Sequence, residues 1–140
     1  MESISEHNGG CLCGAVHVIA KPKSNSIGVC HCSMCRKWGG SPLFAVECGR
    51  EVEFKGEEHI STFNSSDWAE RGFCQKCGTH LFYRLKGQGH YAIPVGIFDG
   101  YDGWKLDEQI FIDQKPSFYS FAEKTKNLTG EEVFALYSGK

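Results

Sequence analysis

The sequence predicts a mainly β protein with a short helix near its C-terminus. Short segments rich in β-branched and aromatic residues recur along the chain, and Gly, Pro, Asn, Asp or Ser separates most of them. The 17 glycines suit a chain with many turns. The pattern changes over the last part of the chain, where a helical segment follows the strands.

The strands are predicted from their composition. They are residues 15–20, 43–48, 51–56, 59–64, 80–84 and 91–98. Gly49 and Arg50 form a turn between the second and third of these strands, which suggests a hairpin. Further along, residues 107–121 are typical of a strand followed by a turn at Lys115 and Pro116.

The segment TGEEVFALYS, residues 129–138, predicts the short terminal helix. Thr129 is a favoured N-cap residue, and Glu132 follows three positions later, as a capping box requires. We therefore expect the helix to begin just after Thr129.

Length and charge limit the class of protein. The chain has 140 residues, and we expect one domain over residues 1–140 with a core of about 10–125. The formal net charge of −2 gives no basic surface, so we expect no nucleic-acid partner. No apolar run is long enough for a membrane span, and the first residues, MESISEHNGG, do not resemble a signal peptide. We therefore expect a cytoplasmic location and no membrane partner.

Eight cysteines are many for a chain in a reducing compartment, where such a pattern favours metal binding over disulfides. Two close pairs are each followed directly by a glycine, Gly14 in CLCG and Gly78 in CQKCG. A glycine there permits the left-handed backbone with which a chain turns both sulfurs toward one ion. Two such pairs complete a closed structural zinc site. Its predicted ligands are Cys11, Cys13, Cys74 and Cys77.

The segment CHCSMCRK predicts a second zinc site with three protein ligands, Cys30, Cys32 and Cys35. In an extended segment His31 points away from its neighbouring cysteines, so we interpret it as a packed or hydrogen-bonded residue beside the site. Cys48 remains as a single cysteine, for which a buried role is more common than a ligand role. Three protein ligands with an exchangeable fourth position are typical of a catalytic zinc.

Two cations follow the three cysteines directly. A zinc ion with three thiolates carries a net negative charge, which Arg36 and Lys37 would offset. Both side chains also suit the binding of an acidic ligand, because a guanidinium holds a carboxylate through two hydrogen bonds. A solvated surface pair is the alternative interpretation.

These motifs, together with RGFCQKCGTHLFY, resemble the glutathione-dependent formaldehyde-activating enzyme family, also called the centromere protein V domain family. The resemblance runs from about Gly10 to Asp99 and continues more weakly in QIFIDQKPSFYSF. It implies a β-tent fold of several small antiparallel sheets around two zinc ions. It assigns the structural zinc to the two cysteine pairs and a catalytic zinc to the three-cysteine motif, the same partition that the spacing predicts.

The resemblance also implies a reaction, the condensation of formaldehyde with glutathione to S-(hydroxymethyl)glutathione by a carbon–sulfur lyase. The partner would then be a small thiol such as glutathione, which suits the soft sulfur ligands of the second zinc. Arg36 and Lys37 would orient the carboxylates of the substrate. A non-catalytic zinc-binding module is the main alternative, and a metal-storage or redox protein is a third hypothesis.

Overall fold

The computed structural model describes residues 6–100 and 102–138, and it confirms the mainly β prediction. The described residues form eleven strands and two α-helices. The strands are β1 (His7–Gly10), β2 (His17–Ala20), β3 (Ser26–Cys30), β4 (Leu43–Gly49), β5 (Val52–Lys55), β6 (Ile60–Asn64), β7 (Ala69–Cys74), β8 (His80–Leu85), β9 (His90–Pro94), β10 (Lys105–Ile110) and β11 (Lys126–Leu128). The helices are α1 (Ser33–Gly39) and α2 (Gly130–Ser138).

The chain divides into two compact units, and the first comprises residues up to Asn25 together with Ala45–Gly103. In this unit β2 lies between β1 and β5 in an antiparallel sheet. A second antiparallel run follows the order β4, β9, β8, β7 and β6. The core of this first unit consists of side chains with almost no exposed surface, which include Val16, Val18, Val46, Leu81 and Ile93.

The second unit comprises Ser26–Phe44 and the residues from Trp104 onward. In it β10 lies between β3 and β11 and runs parallel to both. The register pairs Ile110 with Cys30, so the end of β10 lies beside the first cysteine of the three-cysteine motif. Helix α1 begins at Ser33, shortly after β3 ends at Cys30, and it contains Cys35.

The predicted hairpin at Gly49 and Arg50 is wrong. The turn exists, since Glu51 N–H donates to the Cys48 carbonyl at 3.1 Å, but the two strands that it joins do not pair. β4 pairs with β9, whereas β5 pairs with β2 in the other sheet. The turn therefore carries the chain from one sheet to the other, which local sequence cannot indicate.

Two predicted strands end earlier than expected. β9 stops at Pro94, which has no N–H for the ladder, and a 3-10 turn at Val95–Ile97 follows. β10 stops at Ile110 because Phe111 has a φ of 55°, which an extended strand does not allow. The prediction omitted helix α1 and several short strands of glycine-containing or polar sequence, such as HNGG and KNL.

The terminal helix is confirmed together with its cap. Thr129 N–H donates to Glu132 Oε1 at 2.8 Å, and Glu132 N–H donates to Thr129 Oγ1 at 3.1 Å, which is the reciprocal pair of a capping box. Within the described residues, no helix combines the length and the apolar character needed to cross a membrane. The assignment of residues 1–140 to one domain stays a prediction.

Candidate metal centres

Four cysteine sulfurs converge in the first unit. The Sγ atoms of Cys11, Cys13, Cys74 and Cys77 all lie within 4.8 Å of one another. Cys13 Sγ lies 3.6 Å from Cys11 Sγ and 3.8 Å from Cys74 Sγ. Four sulfurs in tetrahedral positions around one zinc ion are about 3.8 Å apart, given the usual zinc–sulfur bond length. The donor set therefore fits a tetrahedral metal ion that prefers thiolates.

The glycine after each cysteine pair adopts the left-handed backbone that the sequence predicts. Gly14 has a φ of 84° and Gly78 a φ of 82°. Each ends a tight turn, with Gly14 N–H donating to the Cys11 carbonyl at 3.1 Å and Gly78 N–H donating to the Cys74 carbonyl at 2.7 Å. These turns bring the two sulfurs of each pair to one side of the chain.

Thr79 links the two cysteine pairs. Its hydroxyl oxygen accepts a hydrogen bond from Leu12 N–H at 3.0 Å, between the cysteines of the first pair. Its hydroxyl lies 3.2 Å from Cys77 Sγ and donates to that sulfur, because the sulfur is an acceptor when ionised. The Thr79 hydroxyl and then its backbone N–H lower the pKa of Cys77 to about 5. A thiolate at this position is the form that binds a metal ion.

Three cysteine sulfurs converge in the second unit, where Cys30, Cys32 and Cys35 also lie within 4.8 Å of one another. Cys30 ends β3, Cys32 is the N-cap residue of α1, and Cys35 lies in the first turn of that helix. Cys35 N–H donates to Cys32 Sγ at 3.4 Å. The neighbouring sulfurs of Cys32 and Cys35, and then burial, raise the pKa of Cys30. A bound cation would relieve this mutual repulsion, so the donor set fits a metal ion.

Among the residues that the structure describes, the second cluster contains no fourth Cys, His, Asp or Glu. His31 is fully buried, and both of its ring nitrogens are engaged elsewhere. Nδ1 lies 2.7 Å from the Tyr119 hydroxyl, and Nε2 lies 2.7 Å from Gln109 Oε1. Burial lowers the pKa of His31, and although the Gln109 bond opposes that shift, the charges of Lys115 and Arg36 add to it. The lowered pKa favours the neutral ring, and because both ring nitrogens are already hydrogen-bonded, His31 is unavailable as a ligand.

Cys48 lies outside both clusters. Its side chain is fully buried in β4, and its thiol donates to the Val46 carbonyl at 3.7 Å. Burial, assisted by the charge of Glu47, raises the pKa of Cys48 to about 12. This inert, protonated thiol is a core residue.

The two cations after the motif have different surroundings. Arg36 is half-buried, and its Nε donates to the His31 carbonyl at 2.9 Å. Part of its guanidinium is therefore committed to the ligand segment, residues 30–32. Lys37 is exposed. Among the described residues, none accepts a hydrogen bond from the two terminal nitrogens of Arg36, which can therefore serve a further acceptor.

Sequence reasoning did not identify the residues that surround the two clusters. The residues around the second cluster come from about eighty positions further along the chain. Gln109 and Tyr119 bond to His31, and Gln114 Oε1 accepts from Ser33 N–H at 3.0 Å. No spacing pattern predicts such contacts. Thr79 was recognisable in principle. It follows the CQKCG motif directly, in reach of its last thiolate.

Fold and clusters together define a mainly β protein with two cysteine clusters suited to metal ions. A sequence profile described as glutathione-dependent formaldehyde-activating enzyme matches residues 6–114. The chain belongs to this family.

Proteins that resemble the chain include two curated relatives and one solved structure. An uncharacterized lyase of Schizosaccharomyces pombe is 38% identical over 129 residues, which cover 91% of this chain and 94% of the relative. A Halomonas elongata protein, provisionally named glutathione-dependent formaldehyde-activating enzyme, is 30% identical over 83 residues, 53% of each chain. A crystal structure of a Rhodobacter sphaeroides protein aligns with a TM-score of 0.60 at 24% identity, covering 69% of this chain and 91% of that one. This last likeness concerns the fold alone.

Proposed function

We propose that the chain is a zinc-dependent carbon–sulfur lyase that acts on a thiol adduct, such as S-(hydroxymethyl)glutathione formed from glutathione and formaldehyde. The description of its family names glutathione and formaldehyde, and the Schizosaccharomyces pombe relative is named a lyase. Two zinc ions per chain complete the proposal, one structural at the four-cysteine cluster and one catalytic at the three-cysteine cluster.

The difference between the two clusters carries the proposal. Four sulfurs fill the coordination of a tetrahedral ion, whereas three leave one position for an exchangeable ligand. His31 lies between Cys30 and Cys32 in the sequence, but both of its ring nitrogens are occupied, so it does not complete the second cluster. Cys30, Cys32 and Cys35 would hold a zinc ion with one exchangeable position, and the ion would lower the pKa of a substrate thiol there.

The proposed reaction balances without an oxidant or a reductant. A carbon–sulfur bond forms between the thiol sulfur and the formaldehyde carbon while the carbonyl π bond opens. The thiol proton ends on the former carbonyl oxygen, and the reverse reaction returns it to sulfur.

The chain's own cations would orient the substrate. Glutathione carries two carboxylates, and the terminal nitrogens of Arg36 can hold one of them through paired hydrogen bonds. Lys37 is exposed on the same helix and supplies a second positive charge. Because the Arg36 Nε is bonded to the His31 carbonyl, the guanidinium is anchored close to the cysteine segment.

The test is a rate measurement with a matched pair of cysteine variants. Exchange NMR with carbon-13 formaldehyde and glutathione measures how fast free aldehyde and adduct interconvert, with and without the two-zinc protein. Cys32→Ser should lose one zinc and the rate enhancement. Cys48→Ala removes a sulfur that is even more deeply buried but lies in neither cluster, so it should keep both.

A wild-type protein with two zinc ions that accelerates no adduct exchange, with glutathione or smaller thiols and with formaldehyde or glyoxals, would refute the proposal. The non-catalytic zinc-binding module would then be the better description.

A further inference from the structure

We propose that His31 is a positioning residue that sets the geometry of the Cys30–Cys32 ligand segment, with Gln109 and Tyr119 holding its ring. This inference rests on the proposed function in one respect, since it takes Cys30, Cys32 and Cys35 as metal ligands. It assigns His31 no contact with substrate or metal.

Every hydrogen-bonding group of His31 is used. Its backbone N–H donates to the Ile110 carbonyl at 3.1 Å, and its own carbonyl accepts from Arg36 Nε at 2.9 Å. Its ring nitrogens bond to Tyr119 and Gln109, each at 2.7 Å. The residue is fully buried and lies between two cysteines of the cluster. A residue fixed at four points leaves its two neighbours little rotational freedom.

A chain of hydrogen bonds fixes the direction of each bond to the ring. The Thr125 hydroxyl donates to Asn127 Oδ1 at 2.6 Å and therefore accepts from the Gln109 amide nitrogen at 2.9 Å. This orients the Gln109 oxygen toward the ring, where a carbonyl oxygen can only accept. His31 Nε2 must then carry the proton, which leaves Nδ1 to accept from the Tyr119 hydroxyl.

The packing around the ring supports the same role. The centroid of the Phe121 ring lies 6.1 Å from the centroid of the His31 ring, and the centroid of the Tyr119 ring lies 5.6 Å from it. On the other side of Cys32, Ser33 N–H donates to Gln114 Oε1 at 3.0 Å. Residues 109–121 thus hold the chain on both sides of Cys32. Partners of this kind, one step away from the ligands, are worth about 10- to 100-fold in metal affinity.

Three variants separate hydrogen bonding from mere bulk. His31→Gln keeps one donor and one acceptor, whereas His31→Leu keeps the volume and removes both. Tyr119→Phe removes a single hydroxyl from a half-buried residue and should leave the fold intact. His17→Leu is the matched control, because His17 Nε2 also bonds to a side chain, Asn8 Oδ1 at 3.1 Å, but lies in the first unit.

Two measurements report on the segment. Cobalt titration, followed by thiolate-to-cobalt absorption, gives the affinity of the second cluster. Amide hydrogen exchange of residues 30–36, with one zinc equivalent per chain, reports the anchoring without a metal in that cluster, since four thiolates bind zinc more tightly than three.

We expect His31→Leu to weaken cobalt binding at the second cluster about 10- to 100-fold and Tyr119→Phe about tenfold, with correspondingly faster amide exchange. His31→Gln and His17→Leu should stay close to wild type. Unchanged affinity and exchange in His31→Leu and Tyr119→Phe would overturn the inference, as would a His31→Gln as weak as His31→Leu. If His31→Leu does not fold, Tyr119→Phe decides.

The two proposals fail in different ways. A wild-type chain that binds two zinc ions but accelerates no adduct exchange, while His31→Leu and Tyr119→Phe still weaken cobalt binding at the second cluster, would refute the proposed function and leave the positioning role standing. If the chain binds two cobalt ions and accelerates adduct exchange, but no variant changes cobalt affinity or amide exchange, the positioning role is refuted and the proposed function stands.

Discussion

The link that Thr79 makes between the two cysteine pairs gives a prediction of measurable size. Its hydroxyl accepts from Leu12 N–H at 3.0 Å and donates to Cys77 Sγ at 3.2 Å. Thr79→Val keeps the shape of the side chain and removes both bonds. A hydrogen bond to a charged group contributes about 1.5–3 kcal/mol. Because every 1.4 kcal/mol is about tenfold in affinity, the first cluster should bind zinc about 10- to 150-fold more weakly.

The assay is a chelator competition titration in a Cys32→Ser background, where the first cluster holds the only expected zinc. Thr79→Ser, which keeps the hydroxyl, is the control and should stay near the Thr79 value. The effect should appear in zinc affinity rather than in the fold alone, so both variants are compared at full zinc loading by circular dichroism. The reasoning would be refuted if the zinc affinity of Thr79→Val were within about twofold of that of Thr79→Ser, because this loss is much smaller than the expected one.

The remaining predictions concern stability. Gly78→Ala should lower the free energy of unfolding by about 1–2 kcal/mol in urea unfolding, because Gly78 has a φ of 82°. An added Cβ would have no atom within 4 Å, so the cost comes from the backbone conformation and not from a clash. An unchanged midpoint would contradict this. Thr129→Ala should cost about 1 kcal/mol and speed amide exchange at Val133, whose N–H bonds to the Thr129 carbonyl at 3.0 Å; equal exchange rates would rule out the cap. Cys48 has its pKa raised from 9.0 to about 12, so the folded protein keeps a proton that the unfolded chain loses. Between pH 9 and about 12 this difference lowers the free energy of unfolding by about 1.4 kcal/mol per pH unit. In urea unfolding over this range, the free energy of unfolding of Cys48→Ala should fall less steeply with pH than that of wild type, and equal slopes would contradict this.

Local chemistry explains what the sequence could predict. The capping box of α2 and the left-handed glycines after the cysteine pairs depend on residues within a few positions of one another. The same is true of the convergence of each cysteine group, where spacing alone brought the sulfurs of each short motif together. The union of the two distant pairs followed from their matching chemistry, since each supplies half of a tetrahedral set.

Long-range pairing explains what the sequence could not predict. The Gly49 turn has the local features of a hairpin, but β4 and β5 find partners in different sheets. Phe111 ends β10 by its left-handed backbone, a conformation that no propensity assigns to phenylalanine. The bonds from Gln109 and Tyr119 to His31 join residues more than seventy positions apart, so only the folded chain reveals them.

The central claim is that the three-cysteine cluster holds a metal ion with a position open to a substrate thiol. The most direct measurement is the absorption spectrum of the cobalt-substituted protein during titration with glutathione and, separately, with oxidised glutathione. We predict that glutathione changes the thiolate-to-cobalt bands of the second cluster, that oxidised glutathione does not, and that Cys32→Ser abolishes the response. Bands that stay the same with both forms would contradict the claim.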